Sequence, residues 1–82
     1  MTTRTKMGRL LLKIRAKRGM TQIQMAEALK DVPGLQQAHL SAMEHGRFHP
    51  SAGQMEHVLR VLSADRRECG QVLMAAAAEV VR

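Results

Sequence analysis

Two four-residue signatures, Thr21-x-x-Gln24 and Ser51-x-x-Gln54, constrain this chain more than any other feature. In each, a hydroxyl residue and a glutamine three positions later can satisfy each other's backbone N–H groups, which is how an α-helix is opened. Helix-ending residues stand between these starts: Gly19, then Pro33-Gly34, then Gly46 and Pro50. No segment alternates with the period of a strand. The pattern predicts an all-α protein of five helices. The first spans about residues 5–18, with Met7, Leu10, Leu11 and Ile14 on one face and Arg9, Lys13 and Lys17 on the other. The second opens at Thr21 and offers Ile23, Met25, Ala26 and Leu29 to the core. The third runs from about Gln36 to His45, and the fourth follows Ser51 with Met55, Val58, Leu59 and Leu62 inward. The fifth runs from Ala64 to about Val81, with Ser63 as its cap.

With 82 residues the chain forms one domain, 1–82, around one modest core. A 45% hydrophobic content suits a folded domain rather than a disordered tail. Cys69 is the only cysteine, so no intramolecular disulfide forms, and a reducing, cytoplasmic setting is the simplest expectation. The apolar run Leu10–Leu12 is cut at once by Lys13, so neither a leader nor a membrane span is expected.

Charge is distributed unevenly. The chain carries +6, from 13 Lys and Arg against 7 Asp and Glu, and every charged residue before Glu27 is positive: Arg4, Lys6, Arg9, Lys13, Arg15, Lys17 and Arg18. Such a cluster suits a polyanion. Single-stranded nucleic acids are read by stacking bases on several aromatic rings, and this chain has Phe48 and no Trp or Tyr. Duplex DNA is the polyanion that remains. Seven methionines are available to fill the core gaps that aromatic rings would otherwise take.

Against this charge, the stretch Gly34–Gly46 is almost neutral on one helix face, which carries Gln37, Ala38, Ser41, Ala42 and His45. Its surroundings match a known pattern. Arg18-Gly-Met-Thr-Gln22 resembles the entry to the second helix of the Cro/repressor, or Xre-like, helix-turn-helix DNA-binding family. Leu40-Ser-Ala-Met-Glu-His-Gly46, followed by Pro50-Ser51, is similar to that family's exit from the third helix. The resemblance implies a five-helix lambda-repressor-like domain whose third helix lies in the major groove of double-stranded DNA. There a base edge offers donors, acceptors and methyl groups, which glutamine amides and alanine methyls can meet, while Lys and Arg belong on the phosphates.

Carried over residue by residue, the resemblance gives Gln37, Ala38 and Ala42 as base-reading positions, with Gln36, His39 and Ser41 beside them. Gln22 matches a residue that contacts phosphate and braces Gln37. Arg47, His49, Lys17 and Arg18 are expected on the DNA backbone, and Arg4 and Lys6 form a basic arm within residues 1–6. Arg15 and Glu44 match a buried ion pair joining the first and third helices. One departure stands out: the Lys30–Leu35 turn is about four residues longer than the family's, and Gln36 sits near the usual Ser cap.

The last helix reads VLMAAAA from Val72 to Ala78, apolar on every side. A homodimer through Val72, Leu73, Ala76, Ala77 and Val80 follows, in the segment 64–82. Catalysis is not expected. His45 and His49 are separated by Gly46, and His39, His57 and Cys69 lie on different elements, so no zinc spacing occurs. There is no Gly-rich phosphate loop, nucleophile–base motif, cofactor site or small-molecule ligand site. The chain is read as a transcriptional regulator, a small repressor or controller on a palindromic operator. Two other readings remain open: an antitoxin of the same fold with a toxin protein as its main partner, and a peripheral membrane protein using the amphipathic first helix.

Overall fold

The computed structural model describes residues 5–80, the Val80 side chain excepted. Five α-helices and no strand occur among them: α1 (Lys6–Lys17), α2 (Gln22–Ala28), α3 (Gln37–Glu44), α4 (Ala52–Val61) and α5 (Arg66–Val80). Helix α1 packs on both α3 and α5, and α2 packs on α3. Both glutamine capping boxes form. Thr21 Oγ1 accepts from the Gln24 N–H and Gln24 Oε1 from the Thr21 N–H, and Ser51 and Gln54 repeat the exchange. Thr5 caps α1 by accepting from the Gly8 N–H.

The start of α5 differs from the sequence expectation. Ser63 does not cap it; with φ +51° it turns the chain out of α4. Asp65 is the cap, its Oδ1 accepting from the Glu68 N–H at 2.7 Å while Glu68 Oε1 accepts from the Asp65 N–H at 3.0 Å. An acidic pair three residues apart thus does here what Thr–Gln and Ser–Gln do elsewhere.

The core gathers Leu11, Leu29, Leu35, Leu40, Leu62, Val58 and Val72 from all five helices and the α2–α3 turn. Met7, Met25, Met43 and Met55 are buried among them, filling with flexible thioethers the space that rings would occupy. Gly8 lets α1 come close to α3: a Cβ there would lie 2.5 Å from the Glu44 carbonyl oxygen, so only glycine lets the two helices meet at this height. Ile23, expected inside, is 65% exposed, whereas Met25 and Leu29 are buried and Ala26 is half-buried against the core.

Two cross-links close the bundle at helix ends. Arg18 Nε donates to the Leu62 carbonyl at 2.9 Å and its Nη2 to the Ser63 carbonyl at 3.0 Å, setting a cation on the C-terminal end of α4. Glu79 Oε2 accepts from the Met7 N–H at 3.1 Å, so α5 supplies the negative charge that the first turn of α1 lacks. No helix among the described residues is long and apolar enough to cross a membrane.

Candidate nucleic-acid interface

Helix α3 is held in place from its inner side. Leu40, Met43 and Glu44 are buried, and the Glu44 carboxylate meets Arg15 in a two-point contact, Nε to Oε2 at 2.6 Å and Nη2 to Oε1 at 3.1 Å. Arg15 Nη1 also donates to the Met20 carbonyl at 2.8 Å, which fixes the α1–α2 corner to the same pair. Gln22 joins this network: its Nε2 donates to Glu44 Oε1 at 2.9 Å. The side chain expected behind Gln37 is therefore committed to Glu44 instead. A guanidinium, a carboxylate and an amide lock the α1–α2 corner to the last turn of α3.

The long turn before α3 is equally fixed. Leu35 is buried, and Gln54 Nε2 donates to the Pro33 carbonyl at 3.0 Å while its Oε1 serves the α4 capping box. Gly34 takes φ +79°, and any side chain there would strike the Gln54 amide. One glutamine thus caps α4 and anchors the extra residues. Gln36 is the N-cap of α3, but its side chain makes no capping bond, unlike Thr5, Thr21, Ser51 and Asp65.

The outer face of α3 presents Gln37 and Ala38 exposed, with Ser41, Ala42 and His45 half-buried. His45 Nδ1 lies 2.8 Å from the Ser41 carbonyl oxygen. His39 turns away from this face: its ring meets Phe48 edge-on at 5.4 Å between centroids, leaving Nδ1 buried without a hydrogen-bond partner among the described residues. Helical phase explains the difference, since His39 projects toward the α3–α4 loop and Ala38 and Ala42 do not. Past Gly46, which has φ +78° and lies against Thr5, Arg47 is exposed. His49 is tied down, its Nε2 3.1 Å from the Ala76 carbonyl oxygen and its Nδ1 3.2 Å from that of Pro50. That ring fastens the loop to α5.

The basic cluster divides once it is folded. Arg15 and Arg18 are used internally, Arg18 Nη2 also donating to Glu68 Oε1 at 2.7 Å. Lys17 sits 3.6 Å from Glu68. Arg4 lies outside the described residues, and Lys6, expected in an arm, is the first residue of α1. Gly8 and Arg15 face α3, whereas Lys6, Lys13 and Lys17 border α5, on the opposite side of α1. Two exposed cations adjoin α3 along the chain, Arg47 in the loop after it and Lys30 in the turn before it, the latter 3.6 Å from exposed Glu27 and lining a groove with Gln37 and Ile23.

On α5, Val72 and Ala76 belong to the domain's own core, while Leu73 and Ala77 face out; the Val80 side chain lies outside the described residues. At Glu68 the Asp65 N–H bond holds the carboxyl below the ordinary 4.5, helped by Arg18 and Lys17 and opposed by burial and by the Asp65 charge. No group of His, Cys, Asp and Glu that could hold a metal ion occurs among the described residues. No protein-family model, curated protein or solved structure matches the chain.

Proposed function

We propose that this protein is a sequence-specific double-stranded DNA-binding regulator of the Cro/repressor-like helix-turn-helix type, with α2 and α3 as the motif and α3 as its reading helix. One observation carries this: a neutral outer face of α3, with Gln37 and Ala38 exposed and Ser41 and Ala42 half-buried, is mounted through Glu44 on Arg15 and Gln22. Reading bases requires a fixed array of hydrogen-bonding and methyl groups, because a bidentate contact is lost with small displacements. Gln37 supplies an amide for adenine, and Ala38 and Ala42, one turn apart, supply methyl surface for thymine. Arg47 and Lys30 flank the helix and serve the phosphates. The protein acts as a homodimer through the outer side of α5, with Leu73 and Ala77 in the interface, so its operator is a two-fold repeat with half-sites about one helical turn apart or a multiple of that.

The experiment is duplex binding across a salt series, with footprinting on the promoter of the protein's own gene. Each neutralised phosphate contributes about 0.9 to the slope of log affinity against log salt, so Arg47→Ala should flatten that slope by about one per protomer. Protection of an inverted repeat is the expected footprint. Equal affinity for every duplex, or no binding at about 50 mM salt, contradicts the proposal.

A further inference from the structure

A trough runs along the outer side of the α1–α5 pair, on the flank of α1 that faces away from α3. One part, about 530 Å³, has Leu10, Met74, Ala75 and Ala78 along it and Lys6 at its rim. A second part, about 360 Å³, shares Leu10 and Gln71 with the first and is bordered by Lys13, Lys17 and Arg67. Met74 is 76% exposed, the most open large apolar side chain among the described residues. Three carboxylates line the same trough: Glu68, which is paired with Arg18, and Glu79 and Asp65, which accept the Met7 and Glu68 N–H groups and keep their charge. Lys6, Lys13 and Arg67 have no ion-pair partner among the described residues, and Lys17 remains 65% exposed beside Glu68. The result is an apolar floor around Leu10, Met74 and Ala78 inside a mixed rim, in which Lys6, Lys13, Lys17 and Arg67 outweigh Glu79 and Asp65 because Glu68 is paired with Arg18.

We infer that this trough docks an acidic amphipathic helix of a partner protein. Lys6, Lys13 and Lys17 form one stripe along α1, which at 1.5 Å per residue extends about 16 Å, or roughly three helical turns. A partner helix with apolar residues at i, i+3, i+4 and i+7 would cover Leu10, Met74 and Ala78, and Asp or Glu on its flanks would meet the lysines and Arg67. Other occupants fit less well. A phosphate backbone would answer the cations but leave the floor wet. A second copy docked by the same face would bring its own Lys6, Lys13, Lys17 and Arg67 against these four. A bilayer surface would meet the exposed Met74 but not the buried Ala75 behind it, and vesicle competition tests that occupant. The inference stands apart from the DNA reading, because it uses neither α3 nor the outer residues Leu73 and Ala77.

The test uses the full chain and a labelled synthetic helix of about four turns, with leucines on one face and glutamates on both flanks. A scrambled peptide of identical composition is the control, and duplex DNA and phosphatidylserine vesicles are competitors. The designed helix should bind with a dissociation constant on the order of micromolar, at least about tenfold tighter than the scrambled one. The exposed substitutions Met74→Glu and the pair Lys13→Glu with Arg67→Glu should each weaken it about tenfold, with helical content unchanged by circular dichroism. No binding at about 100 µM, equal binding of the scrambled peptide, indifference to these substitutions, or displacement by duplex or vesicles would each overturn the inference.

Discussion

Replacing Arg15 by alanine should bring this domain to the edge of unfolding. The substitution deletes three hydrogen bonds, of 2.6, 2.8 and 3.1 Å. It leaves the Glu44 side chain, 5% exposed, with Gln22 Nε2 at 2.9 Å as its remaining partner. Stranding one member of a buried ion pair costs about 3–5 kcal/mol. At roughly 0.05–0.15 kcal/mol per residue, a chain of this length has a stability of about 4–12 kcal/mol. With a urea dependence of about 1 kcal/mol per M, the unfolding midpoint should fall by about 3 M or more. The combined change Arg15→Met and Glu44→Leu removes both charges and should recover most of the loss, since the penalty lies in the unpaired carboxylate rather than in the missing attraction. Equilibrium urea unfolding followed by circular dichroism measures all three proteins. An Arg15→Ala midpoint within about 1 M of the parent, or a double variant no better than the single, would refute the reasoning.

Other outcomes follow from the same contacts. Gly8→Ala should destabilise by about 1–3 kcal/mol, because its Cβ would strike main-chain atoms of α3 2.5 Å away; Gly70→Ala, with nothing within 4 Å, should stabilise by about 0.5–1 kcal/mol, and thermal melts compare the two. The Glu68 carboxyl titrates lower in the folded protein than in the unfolded chain, so its contribution is present above pH 4.5 and lost as pH falls through the folded value; Glu68→Gln should flatten the acid limb of stability against pH. Leu73→Lys should shift a dimer to monomer in sedimentation equilibrium at micromolar concentration without lowering the melting temperature, because that side chain is already 49% exposed.

Local chemistry made much of the fold legible. Thr21 and Ser51 announced their helices because capping is a four-residue affair, and Gly19 and Gly46, both with positive φ, mark where α1 and α3 stop. The α5 start was harder, since Ser63 and Asp65 both suit a cap and the choice went to the residue with an acid three positions on. Facing direction was harder still. Val72 and Ala76 look the same as Leu73 and Ala77 in a helix apolar all round, and which pair turns inward depends on how α5 meets α1. Counting charge located a basic segment but not its side. Arg18 is taken up by carbonyls 44 and 45 positions away, and the lysine stripe follows α5 because Gly8 and Arg15 give the other flank of α1 to α3. Gly8 itself carried a signal, a glycine inside an otherwise regular amphipathic helix, that marks a close backbone approach.

The central claim, that α3 reads bases through Gln37, is tested most directly by selecting binding sites from a random duplex library with the parent and with Gln37→Ala. The parent should enrich an inverted repeat. The variant should return the same repeat with one position relaxed in each half-site, at a cost of about 1–3 kcal/mol on the parental site and little on random DNA. Identical motifs from both proteins, or no motif from the parent, would contradict the account.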